Sequence, residues 1–177
     1  MSNWNRVIKP IVVLCVICIV ITGALAATNA ATAPVIAEAK AAAEKAARSE
    51  LLPEADDFKE VTGVSVENVT AVFEATNGTG YVITSTAKGY GGTITVMSAF
   101  TPDGVIKQIK VTEAQETPGF GSNVTDTPSY WERYAGVDAG KQLVLDQDID
   151  RHSGATISSK ALIKAVNSAI EAYNAIP

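Results

Sequence analysis

The 177-residue chain has 14 Lys+Arg against 19 Asp+Glu, a net charge of −5, one histidine and two cysteines, and 47% of it is hydrophobic; that length suits one domain. Cys15 and Cys18 both lie in an apolar run, which excludes a disulfide framework and a Cys/His zinc site. Setting aside Arg6 and Lys9, which precede every acid, leaves 12 Lys+Arg against 19 Asp+Glu, or −7, a sign that repels phosphate backbones and excludes nucleic acid as a partner.

No charged residue occurs between Lys9 and Glu38. At about 1.5 Å per residue, a helix over residues 7–28 is roughly 30 Å long and crosses a bilayer once. Arg6 and Lys9 precede the span, so residues 1–6 are expected in the cytoplasm and everything after the span outside it. The alternative is a secretory signal cleaved at Ala24-Leu-Ala26, releasing an exported soluble binding or sensory domain; the length of the apolar run favours the retained anchor. Cys15-Val-Ile-Cys18 has redox spacing but no polar surroundings, and reads as two small apolar side chains on one helix face.

Residues 29–60 read as linker and helix. A small-residue tract leads to a second, alanine-rich helix over residues 34–52, with Pro34 in its first turn, Glu44 and Arg48 four apart, and Pro53 ending it. The acidic stretch 54–60 is expected to be a solvated junction. Residues 61–177 form the globular domain. Alternating Val- and Thr-rich segments at 64–75 and 81–87 flank Asn77-Gly78, and those at 93–100 and 105–112 flank Pro102-Asp-Gly104, which predicts an antiparallel meander. A Pro/Gly loop, Glu116-Thr-Pro-Gly-Phe-Gly121, precedes a short helix at 129–134 and a strand at 142–145. Apolar Ile157, Ala161, Leu162, Ala165, Val166, Ala169, Ile170 and Tyr173 then share one helical stripe. The fold class is α+β: an antiparallel sheet with flanking helices, preceded by one transmembrane helix.

Ser153-Gly-Ala-Thr-Ile-Ser-Ser159 falls where an acidic turn meets that helix. Hydroxyls and free N–H groups at a helix start form an anion site suited to phosphate; the simpler reading is a Ser/Thr N-cap. Lys88-Gly-Tyr-Gly-Gly92 lacks the order of a phosphate loop and reads as a turn or bulge before a strand. His152 beside Ser153 does not make a hydrolase, because adjacent residues rarely aim a base at the neighbouring hydroxyl and no GxSxG elbow is present.

Asp150-Arg-His-Ser-Gly-Ala-Thr156 resembles the flavinylation motif of the FMN-binding domain found in the G subunit of Rnf electron-transport complexes and in the C subunit of sodium-pumping NADH:quinone reductase. Residues 88–92, 102–104 and 116–121 resemble that family's other signature segments in the same order, with Phe120 where the family usually has Leu, and the short ectodomain favours the Rnf protein. The resemblance implies FMN joined through its phosphate to Thr156 by a separate flavin transferase that uses FAD as donor and reads a motif including Asp150. Ser153, Gly154 and Ala155 would shape the attachment loop, Ile157 and Ser158 would offer backbone N–H groups to the phosphate, and Lys160 would add counter-charge. Glu116 and Thr117 are the expected polar contacts to the ring, with an ordinary turn role for Glu116 as the alternative, and Tyr90 is placed near the flavin. The chain would act as a one-electron relay among the other subunits of an Rnf-type membrane complex.

Overall fold

In the computed structural model, which describes residues 8–177, five strands pair in the order in which they occur. Residues 1–6 and the start of the expected span at Val7 lie outside the described residues. The strands β1 (Phe58–Glu60), β2 (Val69–Ala75), β3 (Tyr81–Lys88), β4 (Thr93–Phe100) and β5 (Ile106–Glu113) are all antiparallel to their neighbours. The two expected turns are formed: Gly78 N–H donates to the Ala75 carbonyl at 2.9 Å and Gly104 N–H to Thr101 at 3.0 Å. Both glycines have positive φ, +71° and +82°, a conformation that costs glycine little.

The strand expected from residue 64 begins instead at Val69, because Asn68 takes φ +67° and gives its carbonyl to the Thr86 N–H at 2.7 Å. The acidic junction is not wholly solvated either: β1 comes from it, pairing Phe58 with Ala75. No strand forms at 142–145. The side-chain amide of Asn167 accepts from Leu143 N–H at 2.8 Å and donates to Leu143 C=O at 2.9 Å, taking the place of a neighbouring strand. The short helix expected at 129–134 is α3 (Pro128–Trp131) continued by a 3-10 turn over Glu132–Tyr134, and α2 (Ser122–Thr125) precedes it.

Contacts divide the chain after Ala43. The helix α1 runs without a break over Lys9–Leu51, where two helices separated by a small-residue tract were expected. Pro34 stands inside it. A helical φ suits proline and the surrounding alanines favour helix, so the helix continues past Pro34 at the cost of the hydrogen bond its missing N–H cannot donate to Ala30. In the first unit this helix is exposed all round, with Leu14 63% and Ile19 71% accessible, and it is long and apolar enough to cross a membrane.

The second unit starts at Glu44, inside the helix expected over residues 34–52. The central strands are buried on both faces. The helix α4 (Thr156–Asn174) sets Leu162, Val166 and Ile170 among Ile83, Ile94, Val96 and Phe100. On the opposite face Ala47, Leu51 and Leu52 cover Val82, Met97 and Ala99. Arg48 lies over the Phe73 ring at 4.0 Å, and Glu50 and Glu54 pair with Lys110 and Lys107 of β5. Ile157 leaves the expected stripe and is 52% exposed, since Ser158 and Ser159 take the inward positions of the first turn.

Two outcomes are expected. Truncating Leu51 to Ala removes a side chain that is 1% exposed and should lower the unfolding free energy of the second unit by about 2–5 kcal/mol in chemical denaturation. The Lys107 hydrogen bond, followed by the Glu54 backbone N–H, holds the Glu54 carboxyl below its ordinary value of 4.5. A depressed carboxyl contributes stability above its unfolded pKa and loses it as the pH falls, so Glu54→Gln should flatten the acid limb of a stability-versus-pH curve below about pH 5.

Candidate functional site

Three segments meet at one end of the sheet: the β3–β4 turn, the loop after β5 and the start of α4. The turn is closed by Gly89 N–H to Gly92 C=O at 2.8 Å. Glu116 of the loop joins it to the helix: its Oε1 accepts from Tyr90 N–H at 2.9 Å, and its Oε2 from Gly91 N–H at 3.4 Å and from the Ser158 hydroxyl at 3.0 Å. A Cβ added at Gly89 or Gly121 would collide with this carboxylate, so the carboxylate keeps this position only with glycine at both.

The loop before α4 is tied at two points. The Tyr130 hydroxyl donates to the Asp150 carbonyl at 2.9 Å, and His152 N–H donates to the Ser159 hydroxyl at 3.1 Å. Gly154 turns the chain with φ +81°, and Ala155 N–H closes back on His152 C=O at 3.0 Å. The N-cap of α4 is Ala155 and no side chain caps the helix, so the hydroxyls near Thr156 are not spent as an N-cap. The first helical bond is Ser159 N–H to Ala155 C=O at 2.9 Å, which leaves the N–H groups of Thr156, Ile157 and Ser158 without helical acceptors. The Thr156 hydroxyl has no hydrogen-bond partner among the described residues, and the residue is half-buried.

A cleft of about 440 Å³ opens between these segments. Tyr90 forms one wall, Thr117, Phe120 and Gly121 a second, and Gly154, Ala155, Thr156, Ile157 and Ser158 the third. Its rim is apolar and exposed: Tyr90 is 71% accessible, Phe120 60% and Ile157 52%. Seven of the residues expected from the sequence are thus brought together. Glu116, Ser153 and Asp150 are not among the lining residues, and Glu116 stands behind the wall with its carboxylate engaged. Lys160 is exposed and also absent from the lining. Phe120 and Gly121 line the cleft without being among the expected site residues, and their signal in the sequence is their place in the 116–121 segment.

The His152 ring reaches the carbonyl of Ser153 at 3.0 Å through Nδ1 and makes no hydrogen bond to the Ser153 hydroxyl, so no nucleophile and base pair is formed. Arg151 forks onto Asp146 at 2.9 and 2.8 Å. Lys141, and then the Val144 N–H, hold the Asp148 carboxyl below the usual range, whereas burial pushes the Tyr134 phenol far up. Among the described residues no group of His, Cys, Asp and Glu is placed to hold a metal.

Residues 89–171 match the FMN-binding domain family, a stretch that contains every residue lining the cleft, and residues 1–51 match the RnfG N-terminal region, which ends where α1 ends. The chain is 32% identical, over 97% of its length and 93% of the other, to the G subunit of the Na(+)-translocating ferredoxin:NAD(+) oxidoreductase complex of Acetobacterium woodii. The chain belongs to the RnfG family. It is also 31% identical to the G subunit of the ion-translocating oxidoreductase complex of Methanosarcina acetivorans, over 99% of this RnfG chain and 98% of that one. The crystal structure of Shewanella oneidensis NqrC aligns with 65% of this chain and 63% of its own at 26% identity, with a TM-score of 0.48.

The loop carrying the RnfG chain's Ser-Gly-Ala-Thr sequence depends on Tyr130 for its shape. Tyr130→Phe removes one hydrogen bond to Asp150 and should cost about 0.5–1.5 kcal/mol of stability, with faster amide exchange over residues 150–155.

Proposed function

We propose that this chain is the electron-transfer subunit of an Rnf-type ion-translocating oxidoreductase complex and carries FMN bound through a phosphoester to Thr156. The observation that carries the reading is the unpartnered Thr156 hydroxyl on the first turn of α4, at the wall of an open cleft with an aromatic and aliphatic rim. Bound FMN supplies the redox chemistry. In maturation a flavin transferase would join the flavin phosphate of FAD to the Thr156 oxygen, with AMP as the leaving group and the hydroxyl proton released to solvent. The exposed Asp150 carboxylate, which has no hydrogen-bond partner among the described residues, is available to that enzyme.

The chain's own residues do the rest. N–H groups of Ile157 and Ser158 at the positive end of α4 hold the phosphate. Tyr90, Phe120 and Ile157 offer apolar surface to the ring and shed water from it, with Thr117 as the polar contact. Covalent attachment keeps the group at a fixed effective concentration where diffusion would otherwise remove it. Residues 1–6 lie in the cytoplasm, residues 7–28 cross the membrane among the other subunits of the complex, and the FMN-binding domain lies outside the cytoplasm. The length of the apolar run supports an anchor that is kept over a signal that is cleaved.

The test is peptide mass spectrometry on protein made together with a flavin transferase. The tryptic peptide His152–Lys160 should carry the flavin phosphate on Thr156, with a fluorescent band that survives denaturation, and Thr156→Ala should abolish both. An unmodified peptide from the parent protein would sink the attachment.

A further inference from the structure

Resting on the FMN reading above, we infer that Glu116 is a positioning residue: its carboxylate fixes the β3–β4 turn against the first turn of α4 and so sets the spacing between Tyr90 and Thr156 across the cleft. A carboxylate is an acceptor with room for about four hydrogen bonds. Here three donors converge on it from two distant segments, Tyr90 N–H and Gly91 N–H on one side and the Ser158 hydroxyl on the other. Gly89 and Gly121 leave the space in which the carboxylate sits. Ser158 is 1% exposed and two residues from Thr156, so its position in the first turn is relayed to the attachment point, while Tyr90, 71% exposed, has little packing of its own to hold it. Bonds to a charged acceptor are the stronger class, which suits a brace that must hold an exposed turn.

Two readouts separate this role from general support of the fold. In the flavin-free protein, Glu116→Ala should speed amide exchange at Tyr90 and Gly91 by about tenfold. In the flavin-loaded protein the same variant should alter the visible circular dichroism of the flavin and shift its midpoint potential, with far-UV circular dichroism unchanged. Glu116→Gln should restore protection at Tyr90 and much of the flavin signal but leave Gly91 fast, since its amide oxygen still accepts from Tyr90 N–H and its NH2 can donate to the Ser158 oxygen but cannot accept from Gly91 N–H. Ser158→Ala, which cuts one arm and leaves the charge, should reproduce part of the change and serves if the alanine variant at 116 does not fold. A folded Glu116→Ala that is not flavinylated, with attachment restored by Gln, also supports the brace. Unchanged exchange at Tyr90 and Gly91 in Glu116→Ala, or in Ser158→Ala where that stands in, overturns it. An unmodified Thr156 in the parent removes the flavin reading alone, because the exchange measurement on the flavin-free chain still decides what Glu116 holds.

Discussion

Strands β3 and β4 have no face to spare for water. Ile83, Ile94, Val96 and Phe100 point one way and Val82, Met97 and Ala99 the other, all nearly inaccessible. Covering only one face would leave several large side chains wet, at roughly 1.5–3 kcal/mol each. The chain meets this with α4 on one side and the last turns of α1 on the other. The position of α4 is therefore set by hydrophobic packing along its length, and its first turn is carried with it to the end of the sheet where the β3–β4 turn and the loop after β5 lie. Thr156 owes its place to Leu162, Val166 and Ile170 as much as to its own neighbours.

Within the cleft, polar and apolar work are divided by depth. Behind the walls, hydrogen bonds of Glu116, Ser158, Ser159 and Tyr130 fix the backbone. In front, Tyr90, Phe120 and Ile157 present apolar surface to the open space. Large apolar groups gathered around one opening are unusual on a protein surface unless something covers them. The arrangement suits a flat ring with a phosphate tail better than a small polar substrate, for which the walls offer few convergent polar groups.

Much of this was legible in the sequence because it is local. Asn77-Gly78 and Pro102-Asp-Gly104 are turn chemistry, the terminal helix shows a clear stripe, and Ser153-Gly-Ala-Thr156 sits where an acidic turn meets a helix. What was hidden depends on partners far along the chain. The segment at 142–145 has the composition of a strand, but its backbone is satisfied by Asn167, 24 residues away. Pro34 signals a helix start in isolation, and the alanine-rich helix on both sides of it overrides that signal. Leu51 and Leu52 look like the end of a surface helix until the back of the sheet is seen to need them. Glu116 stands out in the sequence as a polar residue of the loop, but its partners, Tyr90 and Ser158, lie 26 and 42 positions distant.

The order of elements along the chain has a biosynthetic consequence. All five strands pair with sequence neighbours, so the meander can assemble as the polypeptide lengthens, whereas α4 follows every one of them. Until residues 156–174 have emerged, one face of β3 and β4 stays bare and the cleft lacks its third wall. Closing the core and completing the pocket are thus a single late event. A nascent chain interrupted before that point is both sticky and without a pocket, so the same missing helix that leaves it unable to take a ligand marks it with a hydrophobic flag for quality-control machinery.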